Sequence, residues 1–298
     1  MKVESDFITK LIEEKNPVPI VGDKLLNLWL DAAHREKDTR GYYYNGESEA
    51  KAFEEFILRS YNEFYLLLAK TCLNEKTPFQ RYSDATFLVM DGMSFRESAL
   101  LYRDLKEEGF DVAHTFAYSM VPSDTEIFRE KIGIPMSKFV QISKPDKIRF
   151  PADANYIWSN FPDVMLNKIQ VGKVVISSLE DMYKTVKNIV FEIISRAESS
   201  KIIILSDHGY IRTEAGFVFS VSDRAKRKLQ EILGSKRYLK MDSIDLKDLI
   251  EEGYIEEFNG YYLVKSRYLW PVPGKYSIYI HGGLSLMECF TPVIEVRK

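Results

Sequence analysis

Apolar residues recur at three- and four-residue steps through Glu49–Leu73, where Phe53, Phe56, Ile57, Tyr61, Phe64, Tyr65 and Leu68 share one face. That spacing predicts an amphipathic helix, and the whole of 1–80 reads as a helical region. An aromatic stretch, Gly41-Tyr42-Tyr43-Tyr44-Asn45-Gly46, reads as a loop between helices. Near residue 84 the pattern changes. Ala85–Met90 is a short unbroken apolar run, as expected of a strand buried on both faces, and Phe95–Glu108 after it has helical spacing. The alternation repeats with a strand at Asp111–Met120 and a charged helix after Thr125. A further strand is read at Lys173–Ser177, a long helix at Leu179–Glu198 and a strongly apolar strand at Lys201–Leu205. Short strands are also read at Ser277–Ile280 and Thr291–Val296. Strands alternating with helices predict an α/β domain with a largely parallel sheet over 81–298. Residues 221–275, with an Asn259-Gly260 hairpin signal, read as an insertion into it.

Composition narrows the class. The 298 residues are 45% hydrophobic and 13% aromatic, which excludes intrinsic disorder. No apolar run approaches the ~20 residues that span a bilayer, and the first residues show no signal-peptide core. With only Cys72 and Cys289, a disulfide framework and a cysteine zinc site are both excluded. The expectation is a soluble, cytoplasmic protein. A net charge of −3 argues against a general nucleic-acid coat. Charge is locally uneven, with seven basic residues in 224–240 and seven acids in 242–257. These read either as two solvated helix faces or as a basic rim that attracts a polyanion.

Three polar clusters directly follow predicted strands: Asp91-Gly92, Ser206-Asp207-His208-Gly209 and His281-Gly282-Gly283. Ligands of open α/β sheets bind beyond the carboxyl ends of the strands, and carboxylate with imidazole is a metal-ligand chemistry. A fourth cluster, Pro122-Ser123-Asp124-Thr125, sets hydroxyls before a predicted helix. His114 reads as a satisfied core histidine and His34 as exposed. Trp158, Trp270 and Tyr42–Tyr44 read as core or turn residues, with base stacking as the alternative. Arg96 and the Lys236-Arg237 pair read as surface cations or as phosphoryl-binding groups. Glu288 is either an orienting partner of His281 or an ordinary helix residue.

Taken in order, Phe-Leu-Val-Met-Asp91-Gly92-Met, Val-Pro-Ser-Asp-Thr125, Ile-Leu-Ser-Asp207-His208-Gly209-Tyr and His281-Gly-Gly-Leu-Ser-Leu-Met-Glu-Cys-Phe-Thr-Pro resemble the PglZ domain of the alkaline phosphatase superfamily. The resemblance covers roughly 84–298 and leaves the N-terminal 80 residues without a motif. It implies an alkaline-phosphatase-like fold and a metal-dependent phosphohydrolase. Asp91, Asp207 and His208 would hold one zinc, Thr125 would be the nucleophile, ahead of Ser123, and His281 would serve a second metal. The superfamily's second metal commonly uses a D-x-x-x-H pair. The nearest candidate is Asp181, or Glu180, but Thr185 stands where the histidine belongs, leaving that site one ligand short. The resemblance favours a zinc phosphodiesterase acting on nucleotides or oligonucleotides, in the setting of phage defence. The alternatives are a phosphomonoesterase or related hydrolase, and a catalytically degenerate scaffold.

Overall fold

The computed structural model describes residues 5–169, 175–242, 244–274 and 277–298. The helical region comprises α1 (Ser5–Glu13), α2 (Val18–Arg35), α3 (Thr39–Ser60), α4 (Phe64–Asn74) and the single turn α5 (Pro78–Arg81). The aromatic stretch at 41–46 is not a loop: it lies inside α3. The Asp38 carboxylate caps that helix by accepting from Gly41 N at 2.8 Å. Tyr42 and Tyr43 are buried within it, Tyr42 edge-on to Trp29 at 5.6 Å. Burial of two rings outweighs the turn signal of the flanking glycines. The helix read at Glu49–Leu73 is interrupted at Tyr61–Glu63, which separates α3 from α4.

The chain then builds a six-stranded sheet. Its strands are β1 (Thr86–Met90), β2 (Asp111–Tyr118), β3 (Val140–Ile142), β4 (Tyr156–Ser159), β5 (Lys201–Leu205) and the C-terminal strand Phe290–Arg297. Across the sheet the order is β2, C-terminal strand, β5, β1, β4, β3. β1 pairs in parallel with β4 and β5, and β3 with β4, while the C-terminal strand runs antiparallel between β2 and β5. In β1 and β5 successive residues serve opposite faces. Leu88, Met90, Ile202 and Ile204 meet Leu101 and Leu105 of α6 (Phe95–Glu107). Val186, Ile189 and Ile193 of α9 (Val175–Arg196) complete that core. Phe87, Val89, Ile203 and Leu205 meet Phe139, Trp158 and Phe128 of α7 (Thr125–Lys131). Two covered faces explain the unbroken apolar runs. The strand read at Lys173–Ser177 lies partly outside the described residues, and from Val175 the chain is already helical. The strand β4 and the single turn α8 (Asp163–Leu166) that follows it had no counterpart in the sequence pattern.

The N-terminal helices share a core with the sheet domain: Trp29, Tyr42, Phe53 and Phe64 pack in one cluster with Phe95, Leu286, Met287 and Phe290. A buried ion-pair network reinforces the junction. Glu47 of α3 accepts from Arg96 Nε of α6 at 2.7 Å and from Arg267 Nη1 at 2.5 Å. Glu54 accepts from Arg267 Nε at 2.8 Å and from Leu286 N at 2.9 Å. The segment 221–275 carries α10 (Asp223–Ile232), α11 (Lys247–Glu251) and a three-stranded sheet of Tyr238–Lys240, Ile255–Phe258 and Tyr261–Val264. A small core of Leu229, Leu249, Ile255 and Trp270 holds it together. Asn259 and Gly260, with φ of 48° and 81°, form the expected hairpin turn. Its opposite charges pair with each other, Arg224 and Lys228 both with Asp248. Among the described residues no helix is long and apolar enough to cross a membrane.

Candidate active site

Strand register creates the site. Val89 of β1 pairs with Leu205 of β5, so Asp91 and Asp207 both stand two residues past a matched pair, at the carboxyl edge of the sheet. Gly92 donates its N–H to Asp207 Oδ1 at 2.9 Å and turns the chain away with φ of 72°, a conformation that favours glycine. Gly209 is required for closeness instead. A Cβ there would lie 2.0 Å from the Met287 carbonyl oxygen, and its N–H donates to Glu288 O at 3.1 Å.

Asp91, Asp207 and His208 are buried, and each offers a ligand atom within 4.8 Å of the others. The half-buried Thr125 closes the group. Its Oγ1 is 2.7 Å from Asp207 Oδ2, 3.0 Å from His208 Nε2 and 3.2 Å from Asp91 Oδ1. His208 Nδ1 faces the Gly209 carbonyl at 2.9 Å; a carbonyl can only accept, so Nδ1 carries the proton and Nε2 points its lone pair at Thr125. Three acceptors thus converge on a hydroxyl with one proton to give. This is an excess of lone pairs that a divalent cation would satisfy, and the carboxylate–imidazole set suits one. The titration behaviour agrees. Burial, followed by the charge of Asp207, pushes the Asp91 carboxyl up to about 7. Burial alone would lower the His208 imidazole, but the carboxylates of Asp207, Asp91 and Asp163 outweigh it and raise its pKa.

His281 stacks on His208 with ring centroids 3.9 Å apart. Its Nδ1 donates to Ser123 O at 3.1 Å, so the Nε2 lone pair is available on the other side of the ring. Burial and the neighbouring His208 both lower its pKa. Ser123 is buried and bridges the two loops, donating to Gly283 O at 2.8 Å and accepting from Gly282 N at 3.1 Å. It braces the loops, and Thr125 is the hydroxyl that faces the acids.

Asp181 is not brought to this cluster. It lies on the outer face of α9 with its side chain 69% exposed, 3.8 Å from Lys184, because the buried face of that helix is taken by Leu179, Met182 and Val186. The carboxylate placed near His281 is Asp163, which sequence reasoning missed. Its N–H donates to Asp91 O at 3.0 Å, and its side chain accepts from Asn167 Nδ2 at 2.7 Å. Burial raises its pKa, with His281 and His208 pulling the other way. Asp163 and Asn167 keep a D-x-x-x spacing with asparagine in the last place, which was the legible signal.

The cations are also redistributed. Arg96 and Arg237 are neither surface residues nor phosphoryl-facing: Arg96 is buried on Glu47, and Arg237 donates to Glu288 at 2.7 Å. Each is fully engaged because the buried acids beside it need a counter-charge. Glu288 accordingly orients Arg237 and the Gly283 N–H, and not His281. Arg129 is the cation at the site, one helical turn after Thr125. It lies 3.8 Å from Asp91 Oδ2 and 4.5 Å over the Trp158 ring, with a buried Nε that has no partner. Trp158 in turn donates to Asp91 Oδ2 at 3.2 Å. Trp270 is buried and donates to Gly234 O. The ring nitrogens of His114 are buried without partners, so it is not a satisfied histidine; burial alone brings its pKa down to about 3 and keeps it neutral against Tyr102.

The family model that describes the BREX system PglZ alkaline phosphatase-like domain matches residues 144–296. The chain belongs to this PglZ family. The match takes in Asp163, Asp207, His208 and His281, and Asp91 and Thr125 join them through the sheet. Membership makes the PglZ fold here that of an alkaline phosphatase-like hydrolase of phosphoesters and connects it with phage defence. No curated protein matches the chain.

Proposed function

We propose that this PglZ chain is a divalent-metal phosphodiesterase that uses Thr125 as its nucleophile and acts on nucleotides or oligonucleotides. The observation that carries this reading is the convergence of Asp91, Asp207 and His208 on the Thr125 hydroxyl. Those three residues would hold the first cation, zinc by the carboxylate–imidazole donor set. Asp163 and His281, with the Asn167 amide beside them, would hold a second. When bound, the metal supplies Lewis-acid charge and lowers the pKa of a hydroxyl beside it.

Thr125 Oγ1 attacks phosphorus as its proton passes to Asp207 Oδ2, 2.7 Å away. The bond from phosphorus to the leaving oxygen breaks, that oxygen takes a proton from a water molecule, and a threonyl phosphodiester forms with the other alcohol still esterified. The hydroxide left from that water then attacks the same phosphorus, the bond to Thr125 Oγ1 breaks, Asp207 returns the proton to Oγ1, and a phosphomonoester is released. Arg129, incompletely paired and over Trp158, faces the negative charge that grows on the phosphoryl oxygens. Gly92 N–H holds Asp207, and the Gly209 carbonyl holds His208, so neither ligand needs to reorient. The test is hydrolysis of bis(p-nitrophenyl) phosphate with added Zn²⁺ by the wild type and by Thr125→Ala. Turnover in the wild type that is lost in the variant is the expected result. Equal turnover in both removes Thr125 from the mechanism.

A further inference from the structure

A cavity of about 230 Å³ starts at His281 and runs to the segment 221–275. One end therefore lies against the stacked His281–His208 pair, beside the phosphoryl site. Its outer wall is Tyr238 and Lys236, which belong to that segment and have no part in the chemistry above. Tyr238 is held in place. A Cβ on Gly282 would lie 2.9 Å from its ring, so the ring rests on the loop that carries His281, and its hydroxyl lies beside the Asp124 carboxylate. Its neighbour Arg237 anchors the strand, clamped by Glu288 and by the carbonyls of Ser266 and Tyr268. Asn167, whose amide nitrogen donates to Asp163, also lines the cavity. Lys236 is exposed at the rim and has no ion-pair partner among the described residues, unlike Arg224 and Lys228 on the same segment.

We propose that this cavity is the subsite for the nucleoside esterified to the scissile phosphate, with Tyr238 stacking against the base and Lys236 receiving the next phosphate along the chain. This rests on the phosphodiesterase reading and gives the nucleoside of its substrate a place. The volume is below the ~300 Å³ at which sites for larger ligands begin, so it takes one nucleoside and not two. A fixed aromatic ring and an amide lining one cavity suit a heteroaromatic ring, and stacking of this kind is tolerant of base identity. An unpaired lysine beyond it suits a second anionic group.

The test is calorimetric titration of the full chain, with Zn²⁺ present, using inorganic phosphate, thymidine 5′-monophosphate and thymidine 3′,5′-bisphosphate. The monophosphate should bind at least about tenfold tighter than inorganic phosphate, as one stacked base provides. Tyr238→Leu and Tyr238→Ala should both erase that advantage. Lys236→Gln, an exposed change with no folding burden, should weaken the bisphosphate about fivefold relative to the monophosphate. A monophosphate no tighter than phosphate in the wild type overturns the subsite. So does a ratio that stays within about twofold of the wild type in the variants. Tight, Tyr238-dependent binding without hydrolysis of any diester would leave the subsite standing and sink the phosphodiesterase reading.

Discussion

Glu47 offers the sharpest energetic test of how this PglZ site is supported. Its carboxylate, 1% exposed, accepts from Arg96 at 2.7 and 2.8 Å and from Arg267 at 2.5 Å, and these two guanidiniums come from segments about 170 residues apart in the chain. Glu47→Gln keeps the shape and removes the charge. Arg96 would then face no carboxylate, only the amide oxygen, Ser94 Oγ and the Tyr210 carbonyl, whereas Arg267 would keep Glu54. Leaving a buried charge without its partner costs about 3–5 kcal/mol. Glu47→Ala should cost more, because it adds a cavity. Although burial works against ionisation, Arg96 and Arg267 hold the Glu47 carboxyl down at about 2, against an ordinary 4.5. A depressed carboxylate contributes stability that is complete above pH 4.5 and is lost as pH falls from there through 2. The amount follows from the shift and is about 3 kcal/mol. Urea unfolding monitored by circular dichroism at pH 7 and pH 3 measures both quantities. The variant should be about 3–5 kcal/mol less stable at pH 7, with the gap narrowing at pH 3. A loss below about 1 kcal/mol at pH 7 would refute the argument, since that is the value of an exposed pair.

Four further outcomes are expected. Asp207→Asn should bring metal content measured by plasma mass spectrometry well below that of the wild type, because the carboxylate closest to Thr125 is replaced by an amide. Asp163→Asn should lower kcat for bis(p-nitrophenyl) phosphate at least about tenfold, whereas Asp181→Asn, on the exposed face of α9, should stay within twofold of the wild type. The reverse ranking would return Asp181 to the site. Arg129→Ala should reduce kcat/KM about 100-fold, the scale of losing one group aimed at transition-state charge, and Arg129→Lys should restore only part of it. Gly209→Ala should fail to give soluble protein or should unfold at much lower temperature, since its Cβ would meet the Met287 carbonyl at 2.0 Å; a normal melting curve would contradict that contact.

The sequence by itself determined the sheet strands that are buried on both faces, because β1 and β5 must be continuously apolar to sit between two layers of helices. It also determined that Asp91, Asp207, His208 and His281 stand at strand ends, since each belongs to a short polar cluster that follows an apolar run and contains a glycine. Thr125 was placed by its motif. What the linear pattern lacked was any measure of which way a helix faces or which strands are neighbours. Asp181 and Asp163 are equally acidic in one dimension. Rotation of α9 turns the first to solvent, and the short, polar-flanked β4 carries the second to the edge of the sheet beside Asp91. Arg96, Arg129 and Arg237 are likewise indistinguishable along the chain. Only packing showed that two of them neutralise buried glutamates and that the third, a turn beyond Thr125, keeps an unsatisfied donor near the acids. Local periodicity reports burial, but which charge meets which is decided by contacts between residues far apart in the chain. That tertiary pairing separates the residues that hold this PglZ fold together from those left facing the candidate site.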